Sequence, residues 1–248
     1  MPSEPGADTR PKASIVIAVL NEAENVEAVC AELVQALEPV EPYEVVFVDD
    51  GSTDETPQKL QAIADRDPHF RLVRHDRRCG KSAAVRTGVL AARGEWIATM
   101  DGDGQNDPVD IASMLQTAWK AEGDAPLVAG IRVRRDDPRS RLIATRLANG
   151  FRSRVLGDNC PDTGCGMKVF RREDFLLLPM FEGMHRFLPA LFQKYGHPLI
   201  CQPVSHRPRL RGQSKYTNFG RAMVGIGDML GVLWLRSRTH VPGRVTEA

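Results

Sequence analysis

The chain has 248 residues, 42% of them hydrophobic, 26% charged and 6% aromatic. That length suits one large α/β domain with a short appendage, and the composition excludes a disordered, collagen-like or low-complexity chain. The formal net charge is +1, which excludes binding to polyanions by bulk charge, so no nucleic-acid partner is expected.

The balance hides an asymmetry. Residues 1–130 carry 12 Lys/Arg against 23 Asp/Glu, and residues 131–248 carry 21 against 9. The acidic half suits a metal, a base and a ribose. The basic half suits phosphates or an anionic membrane face.

The opening MPSEPGADTRPK (1–12) has no apolar core, so it reads as a disordered lead-in rather than a signal peptide. SIVIAVL (14–20) predicts a buried strand, followed by a helix through about Leu37. VVFVDD (45–50) predicts a second strand with a helix over about 55–65, and RLVRH (71–75) a third with a helix from Gly80 to about Ala92. WIATMD (96–101) is a fourth, after which Pro108 opens a helix, as proline does at a first turn. PLVAGIR (126–132) is a fifth, and beyond Gly130 the pattern becomes irregular and basic. Apolar runs alternating with helices predict an α/β fold whose mostly parallel central sheet has helices on both faces. Functional loops then lie at the carboxyl ends of the strands, where VVFVDD and WIATMD both finish in carboxylates.

The longest apolar stretch, AMVGIGDMLGVLWL between Arg221 and Arg236, has 14 residues and includes Asp228. As a helix it covers roughly 21 Å, short of a hydrocarbon core of ~30 Å. Residues 217–248 therefore predict an amphipathic helix and tail. The helix either lies in a membrane interface, with Trp234 among headgroups and Arg221, Arg236 and Arg238 on phosphates, or packs on the domain or a second subunit. The cysteines Cys30, Cys79, Cys160, Cys165 and Cys201 are odd in number and form no CxxC, which predicts reduced, buried or half-buried thiols in a cytosolic protein.

Five motifs carry chemistry. MDGDGQ (100–105) follows a buried strand, and Asp101 and Asp103 with the Gln105 amide can gather a hard divalent cation. Without a cation the two carboxylates would repel, and Gly102 and Gly104 let the backbone approach a ligand. An EF-hand is excluded, because its glycine would fall on Asn106 and its glutamate on Ala112. An Asp/Gly-rich turn is the competing explanation. In VDDGSTDET (48–56), Ser52 to Asp54 can cap the next helix, but capping leaves the paired acids Asp49 and Asp50 unexplained, and an acid there can accept from a base or a ribose.

CGKSAAVRTG (79–88) ends like a phosphate-binding P-loop, yet His75 stands where that motif needs its first glycine. The remaining reading is a helix N-terminus with Lys81 supplying charge near a nucleotide. RVRRDDPRSRLIATRLANGFRSR (132–154) carries Arg139, Arg141, Arg146, Arg152 and Arg154 beside apolar residues at helical spacing. It is either a solvated basic helix or a surface that grips phosphates on a membrane. HRPRLRGQSKY (206–216) is either a basic surface loop or one that closes over anions.

In this order the pieces resemble family 2 glycosyltransferases of the GT-A fold, most closely the polyprenyl-phosphate branch that includes dolichol-phosphate mannose synthase and bacterial undecaprenyl-phosphate sugar transferases. The resemblance runs from about Ser14 to Tyr216 and rests on NEAENV (21–26), VDDGSTDET, GKSAAVRTG, MDGDGQNDP, GIRVRRDD, DTGCGMKVFRR (162–172), HRFLPAL (185–191) and RGQSKY. It implies a catalytic domain over 13–216. Ala18, Leu20, Glu22 and Val48 would line the nucleoside pocket, with Asp50 nearest the base. Asp101, Gly102 and Asp103 would meet the donor diphosphate, and Asp101, Asp103 and Gln105 would hold Mg2+ or Mn2+. Arg132 would lie near the donor or acceptor phosphate, Arg141 and Thr145, with Arg139 second to them, would face the acceptor phosphate, and Arg209, Arg211 and Lys215 would close on the diphosphate.

The implied reaction is inverting, metal-dependent transfer from a UDP- or GDP-linked sugar, UDP being favoured, to a polyprenyl phosphate. Asp103, Arg132 and Arg141 are the catalytic candidates. The expected setting is the cytoplasmic face of the cell membrane, with a separate membrane-anchoring protein as a candidate partner. Two features depart from the family pattern. Ala18-Val19-Leu20 stands where many relatives have Pro-Thr-Tyr, and the sequence lacks the transmembrane helices that many relatives carry after the catalytic domain. Competing functions are a saccharide acceptor, which would call for a carboxylate base, a non-catalytic nucleotide-binding subunit, and a P-loop phosphotransferase.

Overall fold

The computed structural model describes residues 10–133, 150, 152–208 and 218–241. The first half alternates as expected: β1 Ala13–Val19, α1 Val26–Leu37, β2 Tyr43–Asp49, α2 Thr56–Ala64, β3 Phe70–Arg74, α3 Lys81–Ala91, β4 Trp96–Asp101, α4 Pro108–Lys120 and β5 Leu127–Arg132. Then come β6 Lys168–Arg171, α5 Arg172–Leu176, α6 Leu188–Lys194, β7 Leu199–Val204 and α7 Asn218–Arg238. Lys12 already belongs to the domain: its N–H donates to the Pro42 carbonyl at 2.8 Å and its Nζ lies 3.9 Å from the centre of the Trp119 ring. Of the expected lead-in 1–12, residues 1–9 lie outside the described residues.

One seven-stranded sheet runs in the order β3-β2-β1-β4-β6-β5-β7. β1, β2, β3 and β4 are mutually parallel where they pair, and β5 is parallel to β7. β6 is the exception, running antiparallel to both β4 and β5, so the sheet is mixed. Neither β6 nor β7 was foreseen. β6 has only four residues, and β7 is an edge strand holding Pro203, which an edge tolerates.

The period of two sorts β1 between two layers. Ile15 and Ile17 join Leu33, Ile111 and Leu115 on the α1/α4 side. Val16 joins Val85, Val89, Phe170 and Phe192 on the α3/α6 side. On that second face α3 lies very close to the sheet: a Cβ on Gly88 would stand 2.3 Å from Val16 Cγ1 and 3.0 Å from Val48 Cγ2.

The α7 helix meets the rest of the domain along one face. Met229 and Val232 are buried in the α3/α6 layer, and Arg186 Nη2 donates to Asp228 Oδ2 at 2.6 Å. One face thus packs on the domain itself. Ile226, Leu230 and Trp234, spaced four apart, stay 53%, 59% and 65% exposed. Among the described residues no helix is long and apolar enough to cross a membrane.

Candidate functional site

Strand order reverses at β1, with β2 on one side and β4 on the other, and the crevice at such a point takes ligands in open α/β sheets. In the register Ala18 stands opposite Val48 on β2 and opposite Asp101 on β4. Two expected nucleoside-pocket positions and the first acid of MDGDGQ thus meet at the carboxyl ends of three adjacent strands.

The NEAENV and VDDGSTDET loops are stitched together beside them. The Asn21 N–H donates to Ser52 Oγ at 2.8 Å, the Glu22 N–H to Thr56 Oγ1 at 2.8 Å, and the Thr53 N–H to Asn21 Oδ1 at 2.8 Å. Of the expected caps for α2, Asp54 does that work, accepting from the Thr56 N–H at 3.0 Å, while Ser52 and Thr53 reach across to the other loop. The Glu22 carboxylate accepts from Asn25 Nδ2 at 2.7 Å. The buried Asp49 accepts from the Ser52 N–H and from Arg74 Nε. Asp50 accepts from the backbone N–H groups of Cys79 and Gly80 and from His75 Nδ1, each at 2.8 Å.

Asp101 lies among cations. Lys81 Nζ, at the first position of α3, pairs directly with its Oδ1. Burial works to raise the Asp101 carboxyl, but Lys81 and then Lys168 outweigh it and hold the group below its ordinary value. Gly166 forms the floor, where a Cβ would stand 2.5 Å from both carboxylate oxygens, so only glycine fits. Gly102 is similarly confined: a Cβ there would stand 2.6 Å from Val19 Cγ1. Asp103 Oδ1 accepts from the Gln105 N–H at 3.2 Å, and the Gln105 carbonyl accepts from the Arg207 N–H at 2.8 Å. Two carboxylates and a side-chain amide within five residues are, by their chemistry, a donor set that fits a hard divalent cation.

Arg132, at the end of β5, is held by a bidentate pair with Asp162, Nε to Oδ2 and Nη2 to Oδ1, both at 2.8 Å. Burial alone would lower its pKa, but Asp162 raises it, so the guanidinium stays charged, and it interacts electrostatically with Asp101. The expectation that Arg132 meets a phosphate therefore acquires a partner the sequence did not reveal. Arg139, Arg141, Thr145, Arg209, Arg211 and Lys215 lie outside the described residues. The root of the 206–216 segment is fixed: Arg207 bridges Glu32 at 2.6 Å and Asp107 at 2.7 Å.

Several site residues had carried no role in the sequence. Lys168 is buried with its Nζ on the Cys165 carbonyl, and burial lowers its pKa. His185 Nδ1 is 2.8 Å from Ser82 Oγ. Burial first, then Lys81 and Lys168, push the His185 pKa well below 6.5, so the ring is neutral at pH 7. Both belong to motifs noticed for their order, DTGCGMKVFRR and HRFLPAL, in which a buried lysine has no pattern of its own. The five cysteines are free thiols, and Cys79 and Cys201 are exposed rather than buried or half-buried.

Comparison with known proteins places the fold and the family. Residues 14–177 match the family described as "Glycosyl transferase family 2". The chain is 33% identical over 234 residues to a dodecaprenyl-phosphate galacturonate synthase of Rhizobium johnstonii, covering 93% of this chain and 69% of the relative. It is 32% identical to an undecaprenyl-phosphate 4-deoxy-4-formamido-L-arabinose transferase of Sodalis glossinidius, covering 83% and 63%. The chain thus spans about two thirds of the length of these relatives. Among solved structures, a mannosyltransferase from Pyrobaculum calidifontis in complex with GDP-Man and Mn2+ superposes with a TM-score of 0.64 at 21% identity, over 94% of this chain and 66% of that one. Glucosyl-3-phosphoglycerate synthase from Mycobacterium tuberculosis in complex with Mg2+ and UDP gives 0.67 at 18%, over 94% and 81%. With most of its length matched by the family and its sheet shared with these structures, the chain belongs to the family 2 glycosyltransferases and has the GT-A fold.

Proposed function

We propose that the chain transfers a sugar, with inversion, from a UDP- or GDP-linked donor to a polyprenyl phosphate. The observation that carries this reading is the register placing Ala18, Val48 and Asp101 side by side at the switch point, with Lys81 on Asp101, in a chain similar over 93% of its length to a dodecaprenyl-phosphate galacturonate synthase. Ala18, Leu20, Glu22 and Val48 line the nucleoside pocket and Asp50 bounds it. Asp101, Asp103 and Gln105 hold Mg2+ or Mn2+, which when bound offsets the charge of the leaving nucleoside diphosphate.

The chain's own groups do the rest. Lys81, with Lys168 behind it, keeps the diphosphate end of the crevice positive. Arg132 is aimed by Asp162, and together with Arg139, Arg141 and Thr145 it holds the acceptor phosphate against the repulsion of the donor. Arg209, Arg211 and Lys215 cover the diphosphate. The acceptor is an anion at neutral pH, so its oxygen attacks the anomeric carbon without a strong base while the bond to the diphosphate oxygen breaks. The neutral His185 is suited to hydrogen bonding rather than to adding charge.

The setting we propose is the cytoplasmic face of the membrane. Support comes from the exposed Ile226, Leu230 and Trp234 stripe, which ends in Arg236 and Arg238.

The test is incubation with Mn2+, a short polyprenyl phosphate and a panel of UDP- and GDP-sugars that includes galacturonate and formamido-arabinose donors, read by mass spectrometry. One EDTA-sensitive monosaccharide-phosphate lipid is expected. Release of nucleotide without a lipid product would replace the acceptor by a saccharide. Turnover only with added membranes would identify a membrane-anchoring partner.

A further inference from the structure

Between β3 and α3 the chain makes a loop that the reaction as drawn above does not use, and it is tied down at every turn. It crosses over Gly51, whose φ of +76° and lack of a side chain admit it: a Cβ there would stand 2.7 Å from Arg77 C and Arg78 N. It then returns to the end of β2, where Cys79 and Gly80 donate their N–H groups to Asp50. Gly80 turns with φ +91° and the helix begins at once with Lys81 and Ser82. Those two residues reach Asp101 and His185 respectively.

His75 closes this arrangement. Its Nδ1 is 2.8 Å from Asp50 Oδ1 and its Nε2 is 2.9 Å from Thr87 Oγ1, in the body of α3. A carboxylate only accepts, so Nδ1 bears the proton and Nε2 faces the Thr87 hydroxyl. One ring therefore joins the strand-end acid to the helix at a second point, six residues beyond Lys81. Asp50, His75 and Cys79 also present ligand atoms within 4.8 Å of one another, as a metal site would. Here, however, both ring nitrogens and both Asp50 oxygens are already occupied by protein partners, which is the pattern of a hydrogen-bonded brace.

We infer that His75 is a positioning residue for the donor diphosphate: acting through Asp50 and Thr87, it fixes the loop 76–80 and so sets where Lys81 enters the crevice. This rests on the reading that the crevice binds a nucleoside diphosphate. It assigns to Asp50 a task on the protein side of the pocket, and a role to a histidine that no sequence motif required.

The experiment uses the full chain and titration calorimetry with UDP or GDP in the presence of Mn2+. His75→Leu should weaken diphosphate binding about 10-fold, in line with losing a hydrogen bond to a charged group, while uridine or guanosine monophosphate binding changes less than about 2-fold. His75→Asn keeps an N–H beside Asp50 and should stay within about 2-fold of wild type for the diphosphate. In a Lys81→Met background, His75→Leu should add less than about a further 2-fold, because coupled residues do not add. A full additional loss in that background, or wild-type binding by His75→Leu, would overturn the inference. Amide exchange of the 76–82 peptide without nucleotide gives a second readout. It should speed up about 10-fold in His75→Leu, and unchanged exchange would sink the brace. If the wild type binds neither nucleotide, the enzymatic reading fails while the exchange result still decides the brace.

Discussion

At Asp101 three cations, a glycine floor and a strand end converge on one carboxylate. Its position was legible because acids rarely finish a buried strand without a ligand or partner, and WIATMD ends in one. Lys168 and His185 were not legible: a buried lysine satisfied by carbonyls and a histidine held by a serine follow from chain segments that meet only after folding. Asp103→Ala should abolish metal-dependent turnover while shifting the melting temperature by no more than a few degrees, since Asp103 is only partly buried and its removal opens no cavity. Calorimetric melting beside an Mn2+ titration checks this, and near-normal turnover would remove Asp103 from the metal site.

His185 gives a pH dependence with a definite sign. Its folded pKa lies well below 6.5, so as pH falls through about 6.5 the unfolded chain takes up a proton that the folded chain refuses, and stability drops. Melting temperature should fall from pH 7.5 to 5.5 more steeply in wild type than in His185→Gln. Equal slopes would assign the loss to other groups.

Among the elements, the inner strands were easy to read because strands buried on both faces are near-continuous apolar runs, the form of β1, β2 and β4, whereas the edge strand β3 (FRLVR) is half-exposed and carries two arginines. β6 and β7 were not. Four residues cannot display a period, and the reversed direction of β6 depends on where the preceding segment delivers it, not on its own sequence. Of the arginines in the basic stretch over 132–154, Arg132 is seen paired with Asp162 and Arg152 with Asp158. The loop that crosses Gly51 yields a prediction at this scale. Gly51→Ala adds a left-handed alanine, ~1–2 kcal/mol, to a backbone overlap at Arg77 and Arg78. A total loss above about 2 kcal/mol is expected, visible as a lower urea midpoint at unchanged slope. An unshifted midpoint would mean that the loop relaxes freely.

Over the whole molecule, the described crevice takes Asp49, Asp50, Asp101 and Asp103 from the acidic first half, and the basic second half supplies Arg132 and Lys168 beside Asp101. That division was visible in a charge count, whereas which face of α7 packs on the domain was not, because Met229 and Val232 are no more apolar than Leu230 and Trp234. The exposed stripe should bind vesicles containing anionic lipid at low salt. Leu230→Ser with Trp234→Ser should lower the bound fraction several-fold in a flotation assay while leaving diphosphate binding untouched, and added salt should release the wild type as the Arg236 and Arg238 attraction is screened. Flotation equal to wild type would move the membrane contact elsewhere on the surface.

Because no side chain separates α3 from β1 at Gly88, the helix sits at a depth set by Val16 and Val48. Seven residues, roughly 10 Å along the axis, separate that contact from Lys81. A single methyl group at 88 would act as a wedge under one end of a rigid rod, tilting the other end out of the crevice. The reach of the ammonium group toward an anion is thus graded by the thickness of a residue in the opposite half of the helix. Gly88→Ala is therefore expected to weaken UDP or GDP binding without touching the crevice, which titration calorimetry checks.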